Sequence, residues 1–220
     1  MFDTPLLLAK NEGLTFDQRL AKRVLDLVVS IIALVITSPV MLVIAIAIKA
    51  YDGGPVFFVQ DRCTINGKVF KIHKFRSMIE NAEKDGEVIP ATDDDARITP
   101  VGKIIRKTRL DELPQFFDIL IGNMSVVGPR PERVEHVEKY VEEVPEFTYR
   151  MKVKGGLTGY AQIYGKYNTS AYDKLKLDLM YIQNYSILLD LRLILMTVKI
   201  MFIKDSTEGF EEIKPSEKKD

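Results

Sequence analysis

The sequence predicts a small α+β domain anchored in a membrane: mainly helical, with one short β-hairpin, an N-terminal re-entrant helix that breaks in its middle, and interfacial helices near the C-terminus. Three observations predict this fold. Residues 24–48 form a long apolar run with one charge, an Asn-Gly step separates two Val- and Phe-rich runs, and helical patterns fill most of the remainder. A chain of 220 residues suits one domain with a membrane element.

Composition limits the classes of function. The 31 basic and 31 acidic residues cancel, so bulk charge does not favour nucleic-acid binding. The single Cys63 cannot form an internal disulfide, which suits a reducing, cytoplasm-facing domain, and we interpret it as inert packing. Two histidines without a second cysteine leave no zinc-site spacing.

The apolar run at 24–48 carries one charge, Asp26. As a helix it would be about 37 Å long at ~1.5 Å per residue, enough to cross a hydrocarbon core of ~30 Å. Ser38 and Pro39 lie inside it. Because proline removes a backbone donor and clashes with the preceding turn, we expect a kink there, with Thr37 or Ser38 binding the freed carbonyl.

Cations flank both ends of this run: Lys22 and Arg23 precede it, and Lys49 follows it. The positive-inside rule then places both ends in the cytoplasm. Residues 51–220 contain no comparably long apolar run that could return the chain. The alternative is a straight span that tolerates the proline, but the pattern favours a helix that enters, bends and returns.

A second apolar stretch, residues 186–204, is interrupted by Asp190, Arg192 and Lys199. Such a helix can lie in the membrane interface, with its cations reaching toward the head groups. A buried core helix is the alternative. We favour the interfacial position.

The Asn66-Gly67 step predicts a hairpin, and a strand over residues 68–76 places Lys74 and Arg76 on one face. Two neighbouring cations at a strand end are either solvated or converge on an anion such as phosphate. Both interpretations stay open at this point. Residues 100–110 then predict a short amphipathic helix that carries Arg106 among its four cations.

Two adjacent carboxylates, Asp111 and Glu112, follow that helix. The segment predicts a second helix with Asp111 at its N-cap and Pro114 in its first turn. The positive helix end and Arg106 would favour ionised Asp111, and an ionised, partly desolvated carboxylate can attack phosphorus. Glu112 would point about 100° away and suits a hard cation. An acidic cap without chemistry explains these residues equally well.

Arg130 stands between two prolines, which fix an extended backbone and lower the entropic cost of binding phosphate or carboxylate. An exposed rigid turn is the alternative. Residues 132–150 predict an acidic, solvated helix, and the Gly- and Tyr-rich residues 152–168 predict a loop that approaches a ligand or a membrane. The sequence lacks the phosphate-loop motif GxxxxGK[ST], and no GxGxxG motif follows a predicted strand.

Five segments occur in a specific order: the apolar segment with Ser-Pro, KFRSM, RKTRLDELPQ, GNMSVVGPRPE and GGLTGYAQIYGK. In this order the chain resembles the bacterial sugar transferases, the monotopic phosphoglycosyl transferases of envelope glycan synthesis. The resemblance covers roughly residues 20–204.

The resemblance implies a reaction. Members of this family transfer a sugar 1-phosphate from a nucleotide sugar, usually a UDP-sugar, to undecaprenyl phosphate and release UMP. This is the first membrane step of exopolysaccharide, capsule or other glycan assembly. It implies a protein held by membrane lipids on the cytoplasmic face of the inner membrane. The identity of the sugar and the state of self-association stay open.

The resemblance also implies residue roles. Asp111 would be the nucleophile that carries a covalent phosphosugar, and Glu112 would bind Mg²⁺. The matching cations Lys74, Arg76, Arg106 and Arg130 would contact phosphates or the nucleotide, and the helix break would fall at Ser38-Pro39. Two departures weaken the transfer of roles: Lys154 is followed by Gly155 where proline is common, and Asp118 stands where asparagine is common.

The resulting division of the chain is an N-terminal extension (1–20), a re-entrant membrane helix (21–50), a cytoplasmic domain with interfacial helices (51–205) and a polar tail (206–220). The opening resembles the junction that follows extra domains in larger members. Two other functions remain open: a membrane-associated glycosyltransferase that releases UDP, and a non-catalytic scaffold for glycan assembly.

Overall fold

This computed structural model describes residues 13–80, 82, 95–165 and 170–201. Its longest element is the helix α1 (Phe16–Asp52). The further helices are α2 (Pro100–Lys107), α3 (Gln115–Ile121), α4 (Val134–Glu143), α5 (Tyr160–Tyr164), α6 (Ala171–Gln183) and α7 (Ile187–Met201). The strands are β1 (Phe57–Cys63), β2 (Val69–Phe75), β3 (Ser125–Val127) and β4 (Gly156–Thr158). The mixed α+β class is confirmed. The predicted tail lies outside the described residues.

α1 begins at a capping box, in which the Thr15 hydroxyl accepts the Gln18 N–H and the Gln18 side chain accepts the Thr15 N–H. Among the described residues it is the one helix long and apolar enough to cross a membrane. It continues through Pro39, and the Ser38 hydroxyl donates to the Val35 carbonyl at 2.9 Å. That carbonyl is the one Pro39 cannot bind, so the predicted compensation by Ser38 is confirmed. The re-entrant path stays a prediction.

The predicted hairpin is confirmed. β1 and β2 pair antiparallel, from Phe57 opposite Phe75 to Cys63 opposite Val69. Asn66 and Gly67 both have positive φ, as the predicted turn chemistry requires. Cys63 is a buried free thiol, which agrees with its interpretation as packing.

The second sheet was not predicted. β3 and β4 pair in parallel, Ser125 with Gly156 and Val127 with Thr158. The prediction of a continuous loop over residues 152–168 is therefore wrong, since β4 and α5 form within it. The reason is close backbone contact: a Cβ at Gly156 would lie 2.1 Å from the Gly128 nitrogen, so glycine is required for this pairing.

Two hydrophobic clusters hold the domain together, and α1 contributes to both. The larger cluster joins the hairpin, α3, β3, α6 and α7 around side chains such as Ile119 and Leu179. The smaller joins the C-terminal half of α1 to β2 and α2 through Met41, Ile44, Ile48, Phe75 and Ile105. α1 therefore packs on the domain at both halves. Its middle is exposed.

α7 has one packed side and one exposed apolar side. Leu193 and Asp190 are buried, whereas an exposed stripe consists of Leu188, Leu191, Leu195 and Val198, with Arg192 and Lys199 beside it. An exposed apolar stripe next to cations is the pattern of an interfacial helix. Asp190 is not an interruption exposed to head groups, because its carboxylate binds the Lys22 ammonium at 2.7 Å inside the domain.

Candidate active site

The two carboxylates lie in a 3₁₀ turn, Leu110–Glu112, between α2 and α3. The α-helix starts only at Gln115, with Pro114 at the N-cap position, so the prediction that Asp111 caps this helix is wrong. Arg109, directly before the turn, has a positive φ of 55°, and the Glu112 N–H donates to the Arg109 carbonyl three residues earlier, so the chain takes 3₁₀ geometry here. The turn is closed by a hydrogen bond from the Leu113 N–H to the Leu110 carbonyl.

Glu112 is held by two cations. Its Oε1 accepts from the Lys74 ammonium at 2.6 Å and from the Arg130 guanidinium at 3.2 Å. Burial alone would raise the pKa of Glu112, but the charges of Lys74 and Arg130 outweigh it and hold the pKa well below its usual range. Glu112 is therefore ionised. Three of the residues singled out from the sequence meet at this point.

Asp111 has a different electrostatic environment from its neighbour. Burial raises the pKa of Asp111, Lys74 and Arg106 oppose this, and Glu112 adds to it. Arg106 does lower the pKa of Asp111, as predicted. The prediction is wrong for the pKa of Asp111 as a whole, because burial raises it by more than the cations lower it. A carboxylate that is poorly stabilised by its surroundings is a stronger nucleophile than a fully paired one.

The segment that carries Arg130 is fixed by its backbone as well as by its prolines. Four successive carbonyls, those of residues 129–132, each accept a hydrogen bond, with the donors Gly156 N–H, Arg150 Nη2, Arg62 Nη1 and Cys63 N–H. The distances are 2.8, 2.9, 3.3 and 2.9 Å. The backbone of Arg130 is therefore positioned before any ligand binds.

Sequence reasoning missed the residues that build this support. Arg150 is 4% exposed and also binds the Asp178 carboxylate at 2.7 Å. Arg62 lies among Arg130, Arg133 and two carboxylates, and burial together with the two arginines lowers its pKa to about 10. Neither residue stands in a motif with recognisable spacing. Their role depends on contacts between distant segments, which a single sequence does not reveal.

Asp118 is buried and joins α3 to β2. One oxygen accepts the His73 N–H at 2.9 Å, and the other lies 2.8 Å from His73 Nδ1. Since Lys74 follows His73 directly, this pair fixes the strand that delivers Lys74 to Glu112. The Asp118 side chain therefore has a structural contact of its own.

Two predicted groups lie elsewhere. The Arg76 guanidinium makes a two-pronged ion pair with Asp52 at the end of α1, and Arg76 is 6% exposed. A Cβ at Gly54 would lie 2.7 Å from Arg76 Nη1, so the glycine makes room for the pair. The proposed phosphate contact of Arg76 stays a prediction. Ser38 and Pro39 are exposed on α1, at the middle of its apolar face.

The fold and the site together define a membrane-associated protein in which adjacent carboxylates face a set of fixed cations, an arrangement suited to a substrate that bears phosphate. The model of the family "Bacterial sugar transferase" matches residues 17–204. The chain belongs to this family, and the resemblance read from its motifs is confirmed.

Curated relatives extend this result. The chain is 46% identical over 211 residues to "UDP-glucose:undecaprenyl-phosphate glucose-1-phosphate transferase" of Klebsiella pneumoniae, covering 94% of this chain and 43% of the relative. It is 42% identical to the Escherichia coli (strain K12) protein with the same name, covering 90% and 42%. It is 37% identical to "Uncharacterized sugar transferase EpsL" of Bacillus subtilis (strain 168), covering 85% and 90%. The chain thus spans less than half the length of the first two relatives.

Proposed function

We propose that the protein is a phosphoglycosyl transferase that moves a sugar 1-phosphate from a UDP-sugar to undecaprenyl phosphate and releases UMP. The observation that carries the proposal is the pairing of a half-buried, weakly stabilised Asp111 with an ionised Glu112 held by Lys74 and Arg130. The names of the relatives supply the substrates.

The proposed reaction has two displacements at one phosphorus. An Asp111 oxygen attacks the sugar-linked phosphorus, a P–O bond forms, and the bridging P–O bond breaks so that UMP leaves with its electron pair. An oxygen of undecaprenyl phosphate then attacks the same phosphorus. The bond to Asp111 breaks and restores the carboxylate. Lys74, Arg106 and Arg130 would stabilise the phosphate charge in both steps.

The donor set fits Mg²⁺. No group of three His, Cys, Asp or Glu side chains suited to a metal occurs within the described ranges. However, Mg²⁺ in phosphate-transfer sites often binds through one or two carboxylates and completes its shell with water and substrate phosphates. Glu112 would hold it, since only its Oε1 is used by Lys74 and Arg130. Bound there, the ion would neutralise diphosphate charge.

The membrane arrangement is part of the proposal. Near its start, α1 donates from Arg23 to the Ile119 and Leu120 carbonyls at 2.8 Å. Near its end, Ile48 packs in the smaller hydrophobic cluster of the same domain. Because one domain cannot lie on both sides of a bilayer, these contacts support a re-entrant helix with both ends on the cytoplasmic face. This topology would place the site at the membrane surface.

The test is to identify the released nucleotide and the covalent adduct. Full chain in detergent would be incubated with Mg²⁺, undecaprenyl phosphate and a panel of UDP-sugars labelled in the sugar. We expect UMP as product, and labelled protein when the lipid is left out. Asp111→Asn should abolish both signals. Asp61→Asn, an exposed carboxylate on β1, is the matched control and should retain them.

The two alternative functions predict different results in this nucleotide assay. Release of UDP instead of UMP would establish an ordinary glycosyltransferase and overturn the proposal. A protein that releases no nucleotide with any sugar would behave as a scaffold. Turnover that Asp111→Asn leaves unchanged would exclude Asp111 as the nucleophile.

A further inference from the structure

A second group of cations lies at the opposite end of α3 from Glu112. It consists of Arg23 from α1 and Lys154 before β4, together with Lys68 of the hairpin loop, whose charge acts on Lys154. We call these three residues the α3-end cluster. A Cβ at Gly122 would lie 3.5 Å from Arg23 Cζ and also 3.5 Å from Lys154 Nζ. The two charged groups therefore approach the same point. α3 separates them from the carboxylates by about 10 Å at ~1.5 Å per residue.

Within the described part of the chain, Arg23 has hydrogen-bond partners for its side chain and Lys154 has none. Arg23 donates to the Ile119 and Leu120 carbonyls at 2.8 Å and so caps the C-terminal end of α3. No hydrogen bond or ion pair joins the Lys154 ammonium to another residue in the ranges that the structure describes. Burial and the charge of Arg23 lower the pKa of Lys154, with Lys68 adding to this.

The nearby carboxylate does not satisfy this cluster. Among the described residues, the acidic group with the largest effect on Lys154 is Asp26. Its Oδ1 accepts from the Ser125 hydroxyl and the Val126 N–H, both at 2.8 Å. Lys22 is also close, and its own charge is balanced by Asp190. Positive charge therefore remains in excess around Lys154.

The position of the cluster indicates the kind of anion that it would bind. Ile121, directly before Gly122, is 68% exposed, and Leu20 and Val24 on either side of Arg23 are 57% and 54% exposed. Exposed apolar side chains beside cations are typical of a surface at the depth of lipid head groups. A guanidinium and an ammonium together suit a phosphate group.

We propose that the α3-end cluster binds the phosphate of a lipid headgroup, at a site separate from the Asp111-Glu112 turn. The lipid is an anionic phospholipid or a polyprenyl phosphate, because both present the same phosphate chemistry at this depth. Such a lipid would bridge α1, α3 and the hairpin loop and hold the domain at a fixed distance from the bilayer.

Native mass spectrometry of the full chain in non-ionic detergent tests this proposal. The protein would be incubated separately with phosphatidylglycerol, undecaprenyl phosphate and diacylglycerol, which lacks phosphate. We expect retention of one phosphate lipid and not of diacylglycerol. Lys154→Gln should reduce retention about tenfold, as loss of one charged contact implies, and Lys68→Gln should also reduce it. Lys139→Gln, an exposed lysine on α4, is the control.

The two phosphate lipids distinguish the sources. The ligand is the phosphate lipid that binds at the lower lipid concentration and whose retention is reduced by Lys154→Gln. Such a result with phosphatidylglycerol or with undecaprenyl phosphate supports the site. Equal retention of diacylglycerol, or a Lys154→Gln protein that retains phosphate lipids as the wild type does, would overturn it. Because phosphatidylglycerol is not the proposed acceptor, its Lys154-dependent retention is independent of whether UMP is released, whereas undecaprenyl phosphate that is the one lipid still retained by the Lys154→Gln protein would be assigned to the Asp111 site.

Discussion

Breaking the ion pair between Lys22 and Asp190 should be among the most damaging changes outside the active site. The two side chains are 6% and 0% exposed, and the Tyr181 hydroxyl also donates to Asp190 at 2.8 Å. Asp190→Asn would leave the buried Lys22 ammonium without its ion-pair partner, with Asp26 as the acidic group that still acts on it. Removing one partner of a buried pair costs about 3–5 kcal/mol. At about 2–4 °C per kcal/mol for a domain of this size, the melting temperature should fall by roughly 6–20 °C.

The assay is a double-mutant cycle followed by thermal unfolding in detergent micelles. Lys22→Met and Asp190→Asn would be measured singly and together, with Asp61→Asn as the exposed control, which should stay within about 0.5 kcal/mol. The double variant should lose less than the sum of the single losses, because neither member of the Lys22-Asp190 pair is left charged without the other. Strictly additive losses, or an Asp190→Asn protein that melts with the control, would refute the reasoning.

Four further outcomes are expected. The pKa of Asp111 is raised in the folded protein, so its favourable contribution to stability is complete below the pKa of the unfolded chain and is lost as pH rises through the pKa of the folded protein. Asp111→Asn should therefore melt at a higher temperature than the wild type at pH 7. For the same reason, the acid limb of the pH profile of UMP release should lie above pH 3.8. Arg150→Met should reduce UMP release, because the Arg130 carbonyl loses its donor; release equal to the wild type would contradict this. Pro39→Ala should remove the bend that the re-entrant path requires, so cysteine labelling that still finds both flanks cytoplasmic would contradict a role of Pro39 in that bend.

Local signals in the sequence predicted the local structure well. The hairpin follows from Asn66-Gly67 because both residues adopt the positive φ that this turn needs. The Ser38 hydroxyl could be assigned to a freed carbonyl because a proline always frees one at a fixed position. Asp111, Glu112, Lys74 and Arg130 stood out by type and neighbourhood, and the motifs together indicated the family.

Distant pairings could not be predicted in the same way. Asp190 looked like an interruption of an apolar helix because its partner, Lys22, is 168 positions away. The parallel pairing of β3 and β4 depends on two glycines whose backbones touch, which no periodicity signals. The net pKa shift of Asp111 depends on burial, and burial is a property of the whole fold.

The contacts of Lys22 and Asp26 have a practical consequence for anyone who wants a water-soluble form of this enzyme family. Cutting away residues 1–52 would remove the acceptor of the Val126 N–H and the Lys22 partner of Asp190, and it would uncover Phe75. α1 therefore forms part of the packed interior of the domain as well as its membrane anchor. Solubility would have to be engineered by polar substitutions at the exposed positions of residues 31–43, such as Ile36 and Val43, which are 70% and 67% exposed, and not at the buried Met41.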